Sequence, residues 1–221
     1  MIFLASFLVL FLEVALIRWM PSYIRLLSFF SNFILLASFL GIGVGCLLAT
    51  SRRRLFYLFP ILQLLVIGAV LAGRIELAVP SSTSIYFSSG TSNQVRLVES
   101  TLLLPLLFIA VAALFVALAQ RMAREMSMAP PLRAYTLNVA GSLAGVLAFA
   151  VCSWLQLPPV VWFGVAAAAA LPLVLRGGPG ERQPRVPLVA VSILCLAASV
   201  VIVHVMAKGS TWSPYYKVVM R

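Results

Sequence analysis

Polar breaks divide this chain into seven apolar runs, at approximately 2–20, 27–50, 55–73, 102–120, 134–156, 159–175 and 187–207. Each is close to the ~20 apolar residues that a helix needs to cross a hydrocarbon core about 30 Å thick. The pattern predicts an all-α polytopic membrane protein of about seven transmembrane helices over residues 1–207, followed by a tail at 208–221. The first run is not a removable leader. It carries Glu13, and Arg18-Trp-Met-Pro21 is no small-residue cleavage site. The longest polar break, 74–101, is the one substantial extramembrane piece. Within it, residues 83–99 read as two short strands around a turn at Ser88–Asn93, a small β-hairpin capping the bundle.

Composition sharpens that picture. The chain is 63% hydrophobic and 10% charged, whereas soluble chains run at roughly 45–50% apolar and about 25% charged. It has five acids, all Glu, and no Asp, which leaves little for carboxylate dyads, Mg²⁺ sites or triads that need an Asp. One His (His204) and three scattered cysteines, Cys46, Cys152 and Cys195, do not make a zinc site of the usual spacing. No catalytic residue, metal or cofactor is therefore expected within these residues.

The formal charge of +11 comes from 16 basic residues, 14 of them Arg, that sit mostly between the apolar runs. No basic stripe with interleaved aromatics is present, so the charge points to anionic lipid headgroups at the Arg-bearing loops and not to nucleic acid. Three connections, Arg52-Arg53-Arg54, 121–133 and 176–185, hold nine basic residues on one side of the membrane if seven runs alternate, and the other side holds seven. Counted this way, the N-terminus is cytoplasmic and the C-terminus outside.

Polar residues at depth are the candidates for function, because an ionisable group in the bilayer is costly unless it is paired or neutral. Glu13 lies near the middle of the first run; Arg18, five residues on, shares the cluster but is a poor same-face neighbour, whereas Arg25, Asn32 and Asn138 are candidate partners, with Gln63 a further one. This intramembrane polar cluster reads first as interhelical hydrogen bonding and second as a proton or substrate relay. Two GxxxG pairs, Gly41 with Gly45 and Gly141 with Gly145, put glycines on one face of a helix and predict close helix packing.

Three stretches carry a family resemblance: Phe11-Leu-Glu-Val-Ala-Leu-Ile-Arg18, the run from Phe30 to Gly45, and Tyr135-Thr-Leu-Asn-Val-Ala-Gly-Ser-Leu-Ala-Gly145. They resemble the N-terminal membrane region of bacterial spermidine-synthase-like proteins. In that family a multi-span segment precedes a soluble aminopropyltransferase-like domain. The resemblance implies a multi-pass protein of the bacterial inner membrane and a connection to polyamine chemistry. The closing Trp212-Ser-Pro-Tyr-Tyr-Lys-Val-Val-Met220 looks like the first strand of the following domain. By the same match Tyr215 and Tyr216 become a substrate-side tail, with Tyr216 standing where the family carries a Gln.

The resemblance also implies that the nucleotide loop and catalytic acids lie beyond Arg221. An odd number of crossings carries the tail away from the cytoplasmic aminopropyl donor, so either one run does not cross or the following domain is not a working synthase. The sequence thus supports an integral membrane domain that anchors or regulates a soluble one. Two alternatives stand beside it: a non-catalytic subunit or scaffold that docks other membrane proteins or itself, and a transporter-like bundle for a small cation or amine.

Overall fold

The computed structural model describes residues 1–24, 27, 32–51, 54–76, 92–178, 186–208, 210–213 and 217–219. Within them the chain forms seven helices: α1 (Ile2–Trp19), α2 (Phe33–Leu47), α3 (Phe59–Glu76), α4 (Ser92–Ser127), α5 (Pro131–Trp154), α6 (Pro159–Arg176) and α7 (Val186–Ala207). Two short strands, β1 (Ser210–Trp212) and β2 (Lys217–Val219), pair antiparallel after α7, with Ser210 opposite Val219 and Trp212 opposite Lys217. Six of the helices are long and apolar enough to cross a membrane, and α3 with the short turn before it contributes the shorter apolar stretch Phe56–Ala72.

The helix at the centre is α1. It packs against α2, α4, α5 and α6, with Leu8, Phe11, Leu12, Leu16 and Trp19 buried along one face and Ser6, Val9 and Glu13 buried on the face beside it. A helix apolar on every face has no side suited to water, which suits it to the middle of the bundle. The outer helices show the complementary pattern. On α5, Leu132, Tyr135, Val139, Leu143, Leu147, Val151 and Trp154 are exposed, and their spacing of three or four residues marks one stripe along the helix. An exposed apolar stripe of this length is unfavourable in water and natural against lipid.

Two parallel helix pairs brace the bundle. In the first, α5 lies along α1 with Gly141 beside Phe3, Gly145 beside Phe7 and Ser153 beside Arg18. In the second, α2 lies along α4 with Gly41 beside Ala112 and Gly45 beside Val116 and Ala119. In each pair the glycines meet main-chain carbonyl oxygens of the partner, an approach no larger residue permits.

Three expectations change. Residues 92–99, assigned above to the second half of a hairpin, are the first turns of α4, and 83–91 lie outside the described residues. The reason is energetic. Extending an existing helix adds a hydrogen bond per residue without a new nucleus, whereas a lone two-stranded hairpin is marginal in water. The β pairing that the structure does contain is in the tail, which carries two strands where one was expected. Finally, α4 continues seven residues past the expected end at 120, to Ser127, so that Arg121, Arg124 and Glu125 belong to a helix and not to a loop.

Candidate functional site

The polar residues do not gather into one cluster; they are spread through the interior around α1 and concentrated at the two ends of the bundle. Glu13 lies 11 residues along α1 from Ile2, about 16 Å from the helix end at 1.5 Å per residue. It is buried, and Ser38 of α2 donates its hydroxyl to Glu13 Oε1 at 2.5 Å. Glu13 Oε2 is buried with no hydrogen-bond partner among the described residues. Asn138 does not join this pair. It accepts a hydrogen bond from Ser6 Oγ at 2.7 Å, one of the α1–α5 contacts. Asn32 stands exposed at the start of α2, and Arg25 lies outside the described residues. Gln63 is buried in α3 with neither amide atom hydrogen-bonded among the described residues.

Arg18 marks the first of these ends, at the end of α1 near the tail. Its guanidinium donates to Ser153 Oγ of α5 and to the Ser213 carbonyl that follows β1, and lies 5.0 Å from the centroid of the Trp162 ring. Around it the aromatic side chains interlock. Trp162 meets Trp212 and Phe149 edge-on, both at 5.1 Å between centroids. Trp212 in turn lies 6.4 Å from Tyr23, whose hydroxyl donates to the Met206 carbonyl at 3.1 Å. Trp19 packs edge-on against Phe163 at 5.1 Å. Membrane-interface tryptophans usually face lipid headgroups, and Trp154 is exposed, but Trp19, Trp162 and Trp212 are turned inward and buried. They pin the first strand of the tail to the ends of α1, α6 and α7. Tyr215 and Tyr216 lie outside the described residues.

The opposite end is where α2, α4 and α6 all terminate. Each helix end presents unpaired carbonyls and a partial negative charge, and side chains of α4 meet them. Gln120 Oε1 accepts from Leu55 N at 2.8 Å while its Nε2 donates to Leu48 O at 2.9 Å, closing the turn between α2 and α3. Arg124 donates to the Ala49 carbonyl at 3.0 Å and to the Ser51 carbonyl. Arg121 donates to the Gly177 carbonyl at the end of α6, pairs with Glu125 at 2.8 Å and lies 5.4 Å from the Phe56 ring centroid.

Sequence reasoning counted these two arginines only as loop charge. The signal was present in Gln120-Arg-Met-Ala-Arg-Glu125, where an Arg four residues ahead of a Glu sits directly after an apolar run. No comparable signal existed for Ser38 or Ser153, which are ordinary hydroxyls until the helices are brought together.

The fold and these contacts define a class, a multi-pass α-helical membrane protein tied together at both ends by arginine. Against models of protein families, curated proteins and solved structures, the chain gives no match.

Proposed function

We propose that this chain is the membrane domain of a bacterial inner-membrane protein of the spermidine-synthase-like type, a bundle that anchors and orients a soluble domain continuing from its C-terminal end. The observation that carries the reading is the docking of the tail. Trp212 is buried at 5% exposure against Trp162 and Tyr23, and Arg18 holds the Ser213 carbonyl. A chain leaving a bundle through a flexible linker transmits no orientation, whereas a buried strand fixed by an Arg and two aromatic contacts does. In this reading the Arg-rich end faces the cytoplasm, anionic lipids gather there, and the tail emerges on the other side. Aminopropyl transfer belongs to the following domain, if it is retained at all.

Reporters fused after Arg221 test the orientation. Alkaline phosphatase is expected to be active and green fluorescent protein dark. The reverse result places the tail inside and makes α3, with the shortest apolar stretch, the helix that does not cross. A native reading frame that stops at codon 221 overturns the anchoring function itself.

A second reading, a carrier of small cations or amines, is favoured by Glu13, a buried acid in the middle of the bundle with one oxygen unpartnered among the described residues. Uptake into vesicles that is abolished by Glu13→Gln supports it, and unchanged uptake removes it.

A further inference from the structure

At the Arg-rich end a cavity of about 400 Å³ opens between the end of α2 and the last turn of α4, within the roughly 300–1,000 Å³ typical of ligand sites. Thr50, Ser51, Arg54, Arg124, Ser127 and Met128 line it. Among the described residues the lining thus carries two guanidinium groups, several hydroxyls and no carboxylate. Resting on the reading that anionic lipids gather at the Arg-rich end, we infer that this cavity binds a phosphate group, and that the phosphate belongs to the headgroup of an anionic phospholipid.

The chemistry selects an oxyanion. A guanidinium offers a planar fork of N–H donors matched to phosphate oxygens. Arg124 is already oriented by its bonds to the Ala49 and Ser51 carbonyls, so little side-chain freedom is lost when an anion enters. The acid nearest in sequence, Glu125, is engaged with Arg121 and does not line the cavity.

The surroundings select a lipid. Met128 beside the cavity is 70% exposed, and Leu47, one turn before Thr50, is 81% exposed. Exposed apolar side chains at a cavity rim give acyl chains a surface to follow. A soluble phosphate makes no use of them. Arg52 and Arg53 precede Arg54 in the chain and add to the attraction for an anionic leaflet.

Thermal unfolding of the detergent-purified protein, titrated with short-chain phosphatidylglycerol, short-chain phosphatidylcholine or inorganic phosphate, tests the site. Phosphatidylglycerol is expected to raise the unfolding temperature saturably and phosphatidylcholine to do so far more weakly. Arg54→Gln is expected to weaken apparent phosphatidylglycerol affinity roughly fivefold, while Lys208→Gln at the opposite end leaves it unchanged. Ser127→Phe, which fills the cavity and keeps its charge, produces the same loss and serves if Arg54→Gln does not fold. Inorganic phosphate binding as tightly as phosphatidylglycerol keeps the phosphate site and overturns the lipid assignment. Equal affinity for the two lipids overturns the site, as does a Lys208→Gln effect equal to that of Arg54→Gln. Full affinity in folded Arg54→Gln does so too.

Discussion

A Cβ placed on Gly145 of α5 would stand 2.6 Å from the Phe7 carbonyl oxygen of α1 and 3.1 Å from the Phe11 amide nitrogen. Both are backbone atoms of the central helix, so they have no rotamer by which to yield. Gly145→Ala is therefore expected to separate α1 from α5 and lower stability by about 1–3 kcal/mol, the usual cost of overpacking a filled interface. Gly43 is the control. It lies on α2 with nothing within 4 Å of its would-be Cβ, and Gly43→Ala is expected to be neutral or to stabilise by up to ~1 kcal/mol through helix propensity. Equal losses for both substitutions, in denaturation in detergent, would remove the packing role of Gly145.

The tail gives a second test. Arg18 serves Ser153 and Ser213 at once while lying over Trp162, a task for a planar fork that a lysine ammonium does not reproduce. Arg18→Lys and Trp212→Ala are both expected to release the strand pair and speed tryptic cleavage at Lys208 and Lys217 by tenfold or more, about 1.4 kcal/mol of opening free energy. Cleavage at the parent rate in either variant means the tail is held by something else.

How much of this was readable beforehand depends on what the solvent dictates. Lipid requires each crossing segment to satisfy its own backbone, so the apolar runs announced the helices, and the observed ends moved by only a few residues at α1, α5, α6 and α7. Ends set by water and by neighbouring chain were less legible. The alternation Val95-Arg-Leu97-Val-Glu99 imitates a strand, yet helix α4 passes through it. Glu13 stood out as a buried acid because charge is rare at such depth, but its partner Ser38 lies 25 residues away on another helix, and only packing selects one hydroxyl among many. Asn32 and Asn138 carried equal weight in sequence and ended in different surroundings.

The turn between α5 and α6 stores a small strain. Gln156 has φ 54°, and Leu157 N donates to Cys152 O at 3.0 Å while Gln156 N donates to Ser153 O at 3.1 Å. This is the glycine-favouring way to close a helix, occupied here by a residue with a Cβ. Gln156→Gly is expected to raise stability by about 0.5–1 kcal/mol, and Gln156→Val to lower it. The counterpart is Gly177, with φ 65° at the end of α6, where alanine is expected to cost stability and loosen the Arg121 contact. A destabilised Gln156→Gly would show that the glutamine side chain contributes more than its backbone costs.

The Glu13–Ser38 pair separates cohesion from transport. Ser38→Ala removes the hydroxyl and leaves a buried carboxyl group with no hydrogen-bond partner among the described residues, an unfavourable state worth about 1–3 kcal/mol. Glu13→Leu removes the group that needs a partner, and adding Ser38→Ala to it is then expected to cost little. The resulting coupling should be about 1–1.7 kcal/mol, where that cost overlaps the values of about 0.6–1.7 kcal/mol found for side-chain hydrogen bonds between membrane helices. Denaturation of the two single variants and the double variant in one detergent measures it, and additive losses would show that the bond contributes nothing. A residue kept for cohesion loses stability when replaced. If instead Glu13→Leu gains stability while uptake into vesicles disappears, the acid is retained at a structural cost for what it does to a passing cation, and the carrier reading displaces the anchor.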